Sequence, residues 1–165
     1  MKLDLRRDFA DIYAYLVDRV NRFDPDTNDG PGEPGPIKMI EVGFEYSQSA
    51  WVVVVFDTRP DAEPDGEWDR HIDGNDLKRP DWLATGEAEG PTAVIQLDGT
   101  EVEYPKGTEL AEVFGELIKA VLIKARADGV FAILPKAPGC ELGATHFSGA
   151  YDWPMYDDWG QENLV

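Results

Sequence analysis

The chain has 165 residues, 42% of them hydrophobic and 11% aromatic, enough for one ordinary domain with a real core and against wholesale disorder. Thirty-three acids against fifteen bases give a formal net charge of −18, which opposes binding to nucleic acid or to an anionic membrane surface. A single cysteine, Cys140, excludes an intrachain disulfide, and the longest apolar run, Ala50 to Phe56, is far too short to span a bilayer.

The first stretch, MKLDLRRDFADIYAYL, carries charge throughout and lacks the pattern of a secretory signal, so a cytoplasmic location is expected. Leu5, Phe9, Ile12, Tyr13, Leu16 and Val20 recur at helical spacing and predict a helix over 4–21 with Asp4 as its N-cap. NRFDPDTNDGPGEPGP then reads as a loop from its Pro, Gly and Asp content. Asp24, Asp26, Asn28 and Gly30 in it have the alternating spacing that opens a calcium loop of the EF-hand type. Asp29 stands at the sixth position, where such a loop needs glycine, and Gly35 at the twelfth, where it needs a bidentate glutamate. An acidic turn closed by Asx hydrogen bonds is the better expectation.

Ile40, Val42, Phe44 and Tyr46 alternate with Glu41, Gly43 and Glu45, which predicts a strand with one wet face. Trp51 to Phe56 form a continuous apolar strand, expected to be central and covered on both faces. The two read as an antiparallel hairpin. Residues 57–91 show no convincing regular element. Pro60, Pro64, Pro80 and Pro91 punctuate them, Trp68, Ile72, Leu77, Trp82 and Leu83 are expected to tether them, and KRPDWL can begin a short helix near Pro80. TAVIQLDGTEVEY predicts a second hairpin with a type I′ turn at Asp98-Gly99. Thr108 is the expected cap of a second helix, whose apolar face runs from Leu110 through Phe114, Leu117, Ile118, Val121 and Leu122 to Ala125. Gly129 is placed to end it in a left-handed conformation. Val130 to Leu134 predict a fifth short strand. Residues 137–165 are rich in glycine and aromatics without a clear period. Tyr151, Trp153, Met155, Tyr156 and Trp159 are expected to pack back on the domain or to meet a second copy in a homodimer, with Trp153 substantially buried. The expected architecture is a single α+β domain over 1–165, with two helices packed on one face of a mostly antiparallel four- to five-stranded sheet.

Asp57 stands at the end of the apolar strand, where functional carboxylates often sit. Glu67, Asp69 and His71 follow it, a set that a metal-dependent hydrolase can use, but no HxxEH or HExxH motif orders them. Cys140 and His146 offer a thiol and a base, without a third member or a strand-to-helix elbow, and a buried structural cysteine is the simpler reading. No GxGxxG follows a predicted strand, Gly30, Gly32 and Gly35 alternate with prolines that lack an N–H for an anion, and GxxxxGK[ST] is absent, so no nucleotide cofactor is expected.

Charge position is more informative than its total. Residues 1–20 carry four acids and four bases, and residues 105–136 carry four acids and five bases. Residues 57–103 carry fourteen acids against four bases. The expected function is that of a non-enzymatic, acidic protein-binding domain, such as an inhibitor or immunity-type protein for a basic partner. Asp61, Asp65 and Asp69 would supply the charge, and Trp68 and Trp82, expected to be exposed, the anchors. Two rivals are a metal-dependent hydrolase built on strand-end carboxylates, and a structural domain whose acidity serves solubility or a salt-adapted host.

Overall fold

The computed structural model describes residues 1–24, 35–58, 76–87 and 89–155. A short strand β1 (Lys2–Asp4) leads directly into helix α1 (Leu5–Asn21). Asp4 caps it as expected, its carboxylate accepting the Arg6 N–H at 3.1 Å. Strands β2 (Ile37–Glu45) and β3 (Trp51–Asp57) form the expected antiparallel hairpin, in register from Met39 opposite Asp57 to Glu45 opposite Trp51. Strand β4 (Leu77–Lys78) and helix α2 (Pro80–Glu87) follow, so the end of the segment read as irregular is ordered. Pro80 stands at the first helical position, where its missing N–H costs nothing.

Strands β5 (Thr92–Ile95) and β6 (Glu101–Tyr104) make the second hairpin. Its turn differs from the expected type I′. Gly99 N–H reaches the Gln96 carbonyl at 2.9 Å and Gln96 N–H reaches the Thr100 carbonyl at 2.7 Å, leaving a three-residue loop of Leu97, Asp98 and Gly99. A type I′ turn needs positive φ at two residues; in this loop only Gly99 has it, at 87°. Helix α3 (Ala111–Ala127) starts later than expected, with Leu110 at the N-cap. Thr108 spends its hydroxyl on the Pro105 carbonyl at 2.8 Å and does not cap the helix. Gly129 is left-handed as expected, with φ 73°.

The expected fifth strand over 130–134 is a 3-10 turn, Val130–Ile133. The strand comes just after it, as β7 (Lys136–His146), paired in turn with β8 (Asp152–Met155). The start of the aromatic segment is therefore sheet. Two sheets result, with strand orders β1-β5-β6 and β4-β3-β2-β7-β8, in place of one. β1–β5 and β2–β7 are parallel and the other pairs antiparallel.

The protein is α+β, and the three helices among the described residues share one core with both sheets. Side chains alternate across a strand. Ile40, Val42 and Phe44 of β2 and Val52, Val54 and Phe56 of β3 face Leu16, Phe114 and Val121, with Phe9 and Trp153 partly buried against the same cluster. Leu3 and Val94 of the small sheet join it. Trp51, Val53 and Val55 form a separate cluster on the opposite face. That face was expected to be wet on β2. It is dry: Glu41 and Glu45 are each 6% exposed, because β2 is a central strand flanked by β3 and β7. No helix among the described residues is long and apolar enough to cross a membrane.

Candidate functional site

Asp61, Asp65, Trp68 and Asp69 lie outside the described residues, as do Glu67, His71, Asp26, Asn28 and Gly30. What remains of the acidic middle segment divides into buried and exposed carboxylates. Asp81, Glu89, Asp98, Glu101 and Glu103 are exposed, and Asp57 is 1% exposed. Both described bases of the segment are held by acids. Arg79 donates to Asp11 at 2.9 Å and to the buried Asp8, and Lys78 pairs with Asp76 at 2.5 Å. Asp8 also accepts the indole N–H of Trp82 at 3.1 Å, while the Trp82 ring, fully buried, stacks on Phe114 at 4.2 Å. Arg79 and Trp82 thus dock α2 onto α1 and α3. Trp82, expected as an exposed anchor, is instead buried in the core, and Arg79 is spent on the fold and does not offset the exposed acids.

Three of the five exposed acids, Asp98, Glu101 and Glu103, lie on the β5–β6 hairpin. Glu101 and Glu103 point to the outer face of β6, and Glu101 is bridged by Lys2 at 2.7 Å. Asp98 is fixed in the turn by Thr100, whose N–H and hydroxyl donate to it at 2.9 and 2.7 Å, and these bonds hold its pKa below the usual range. Beside the turn a groove of about 350 Å³ runs against α3. Leu97, Asp98, Val113, Glu116 and Leu117 line it, with Glu116 held by Lys119 at 3.1 Å and by the Tyr151 hydroxyl at 2.9 Å.

Glu41, Glu45 and Asp57 are buried carboxylates on the dry face of the large sheet. Glu45 is an organiser of the β2–β3 turn. Its carboxylate accepts the Ser47, Gln48, Ser49 and Ala50 N–H groups and the Ser47 hydroxyl, at 2.6 to 3.2 Å. Burial pushes its pKa up, but the donated hydrogen bonds outweigh burial and hold it at about 2. Glu41 is the opposite case. Burial raises its pKa, the Thr145 hydrogen bond opposes the rise, and the charges of Asp152 and Asp57 reinforce it. Asp57, predicted as the strand-end carboxylate, therefore has Glu41 as a neighbour, which periodicity had placed on a wet face. Among the described residues, no three His, Cys, Asp or Glu side chains group to hold a metal.

A second polar cluster lies at the N-terminal end of α3. Tyr46 donates its hydroxyl to Glu109 and accepts the Leu110 N–H at 3.3 Å. Its ring packs on Phe114 at 5.2 Å and on His146 at 5.4 Å. Burial and the Glu109 hydrogen bond push the Tyr46 hydroxyl up to about 12. His146 is 5% exposed, shares Nδ1 with the Ser148 hydroxyl at 2.8 Å, and its Nε2 has no hydrogen-bond partner among the described residues. Burial lowers its pKa, against the pull of Glu45 and Glu109. Cys140 and His146 share strand β7, and six residues of extended chain separate them by about 20 Å. They do not form a nucleophile–base pair.

No protein-family model matches the chain, and neither a curated protein nor a solved structure does.

Proposed function

We propose that the protein binds a basic protein partner through its acidic middle segment, residues 57–103, as an inhibitor or immunity-type protein would. One observation carries the reading. The segment holds fourteen acids against four bases, and the two of those bases that are described face inward or are paired, whereas five of the described acids are exposed. A surface of one sign steers a partner of the other and rejects like-charged competitors. Asp61, Asp65 and Asp69 extend that surface by sequence, with Trp68 as the anchor.

The test is capture of a partner from the native host followed by titration at low and high salt. The association rate should fall as salt rises, and fall again when Asp61, Asp65 and Asp69 are changed together to asparagine. An unchanged rate and affinity in that variant removes the reading. The rival is a metal-dependent hydrolase that would draw on Asp57 together with Glu67, Asp69 and His71, since no three described side chains group to hold a metal. It requires metal-dependent turnover that is lost on Asp57→Asn.

A further inference from the structure

Among the described residues the small sheet ends in β6, which pairs with β5 on one side and has no described strand on the other. The hairpin register fixes which groups face outward. Gln96 and Thr100 are a hydrogen-bonded pair, so the alternation of an antiparallel ladder makes Val94–Val102 and Thr92–Tyr104 bonded pairs as well. Glu101 and Glu103 fall between them. Their backbone N–H and C=O groups point away from β5 to the free edge. The same phase turns Ala93 away from β6, and its N–H indeed bonds the Met1 carbonyl on the β1 side at 2.8 Å. Glu101, Val102 and Glu103 are all exposed, and Val102, at 38%, is an apolar side chain left open on this edge.

An open edge invites a further strand, and its side chains decide which one. Glu101 and Glu103 project on one face of β6, beside the two outward-facing peptide groups. A second copy pairing edge to edge would bring these carboxylates against their own equivalents, and like charges opposite each other destabilise a ladder. A neutral strand gains nothing from them. An extended segment with lysine or arginine at alternate positions places one cation beside Glu103 and another beside Glu101, where it competes with the exposed Lys2, and its intervening side chains over Val102.

We propose that the β6 edge is a strand-addition site that takes an extended, lysine- or arginine-bearing segment of a partner protein. This rests on the reading of the protein as a binder of a basic partner and names where and how that partner engages. The probe is a synthetic peptide of alternating lysine and valine. A second peptide has the same sequence and charge but is N-methylated at alternate amides, so that one edge cannot pair. The unmethylated peptide should bind and slow hydrogen exchange at the Glu101 and Glu103 amides. The methylated one should bind about tenfold more weakly.

Glu103→Pro removes an outward N–H and no bond to β5, so the hairpin should survive while peptide affinity falls about tenfold. Should proline unfold the hairpin, Glu101→Lys with Glu103→Lys is expected to cause a similar loss, and unchanged affinity there overturns the site. Equal binding of both peptides overturns strand addition and leaves the acidic-surface reading standing. Binding of neither overturns the site, and the partner titration then decides the parent reading alone.

Discussion

Glu45 shows how a single buried acid can be structural. Its carboxylate gathers the donors of residues 47–50, and the chain leaves that turn through Ala50, a non-glycine residue at φ 45°. A left-handed alanine costs about 1–2 kcal/mol, which charge-assisted bonds of this kind offset. Glu45→Gln loses the charge and replaces one acceptor by a donor, and should destabilise the fold by about 2 kcal/mol in chemical denaturation. The pH dependence has a definite sign. With a folded pKa of about 2, below the ordinary 4.5, Glu45 supplies stability that is present above 4.5 and lost as pH falls through about 2. His146, lowered from 6.5, supplies stability present above 6.5 and lost as pH falls through its folded value. The natural chain should therefore weaken in two stages on acidification. In Glu45→Gln the second stage should be reduced and the first retained; an unchanged acid limb below 4.5 would show that Glu45 does not hold the turn.

At the scale of elements, legibility followed period. The α1 cap, the β2–β3 hairpin, the left-handed Gly129 and the short helix at Pro80 follow from local chemistry that the sequence displays. Asp8 did not, because an acid inside a helical stripe looks exposed until Arg79, 71 residues away, is seen to meet it. Glu41 and Glu45 failed for the same reason. Alternation assigns a face, but only the partner strands β3 and β7 decide whether that face is wet. β7 was masked by Gly139, Gly143 and Pro138, which weaken a strand pattern, although parallel pairing to β2 holds it. The candidate site was half legible: charge pointed to the acidic segment, while the open edge of β6 depends on sheet order, which no local pattern carries. Gly115 in α3 is another long-range device. Alanine there would ordinarily stabilise a helix by about 1 kcal/mol. In this fold an added methyl would overlap the ring of Tyr151, which packs across the helix and donates to Glu116 at 2.9 Å. Gly115→Ala should instead destabilise the protein by about 1–3 kcal/mol. A rise in the unfolding midpoint would mean that Tyr151 does not seat on α3.

At the scale of the molecule, the aromatic segment closes the large sheet. β8 supplies its last strand, His146 N–H bonds the Tyr151 carbonyl at 2.8 Å, and Lys119 lies 5.7 Å from the centre of the Trp153 ring. Trp153 is half-buried, less than its size led the sequence to suggest, because β8 is an edge strand and α3 covers only part of it. Tyr151 contributes more, filling the space that Gly115 leaves. A chain ending at residue 149 loses the β7–β8 ladder, both rings and four acids, with no base removed. Loss of packing should lower the thermal midpoint, while loss of negative charge should relieve self-repulsion and raise it slightly. The two effects separate with salt. Screening weakens the charge term, so at high salt the truncated chain should fall further below the full one than at low salt. Packing is worth about 1.5–3 kcal/mol for each large side chain fully removed from water, so it should dominate at every salt concentration. Equal melting curves for the two chains at high salt would show that residues 150–165 are not part of the cooperative fold.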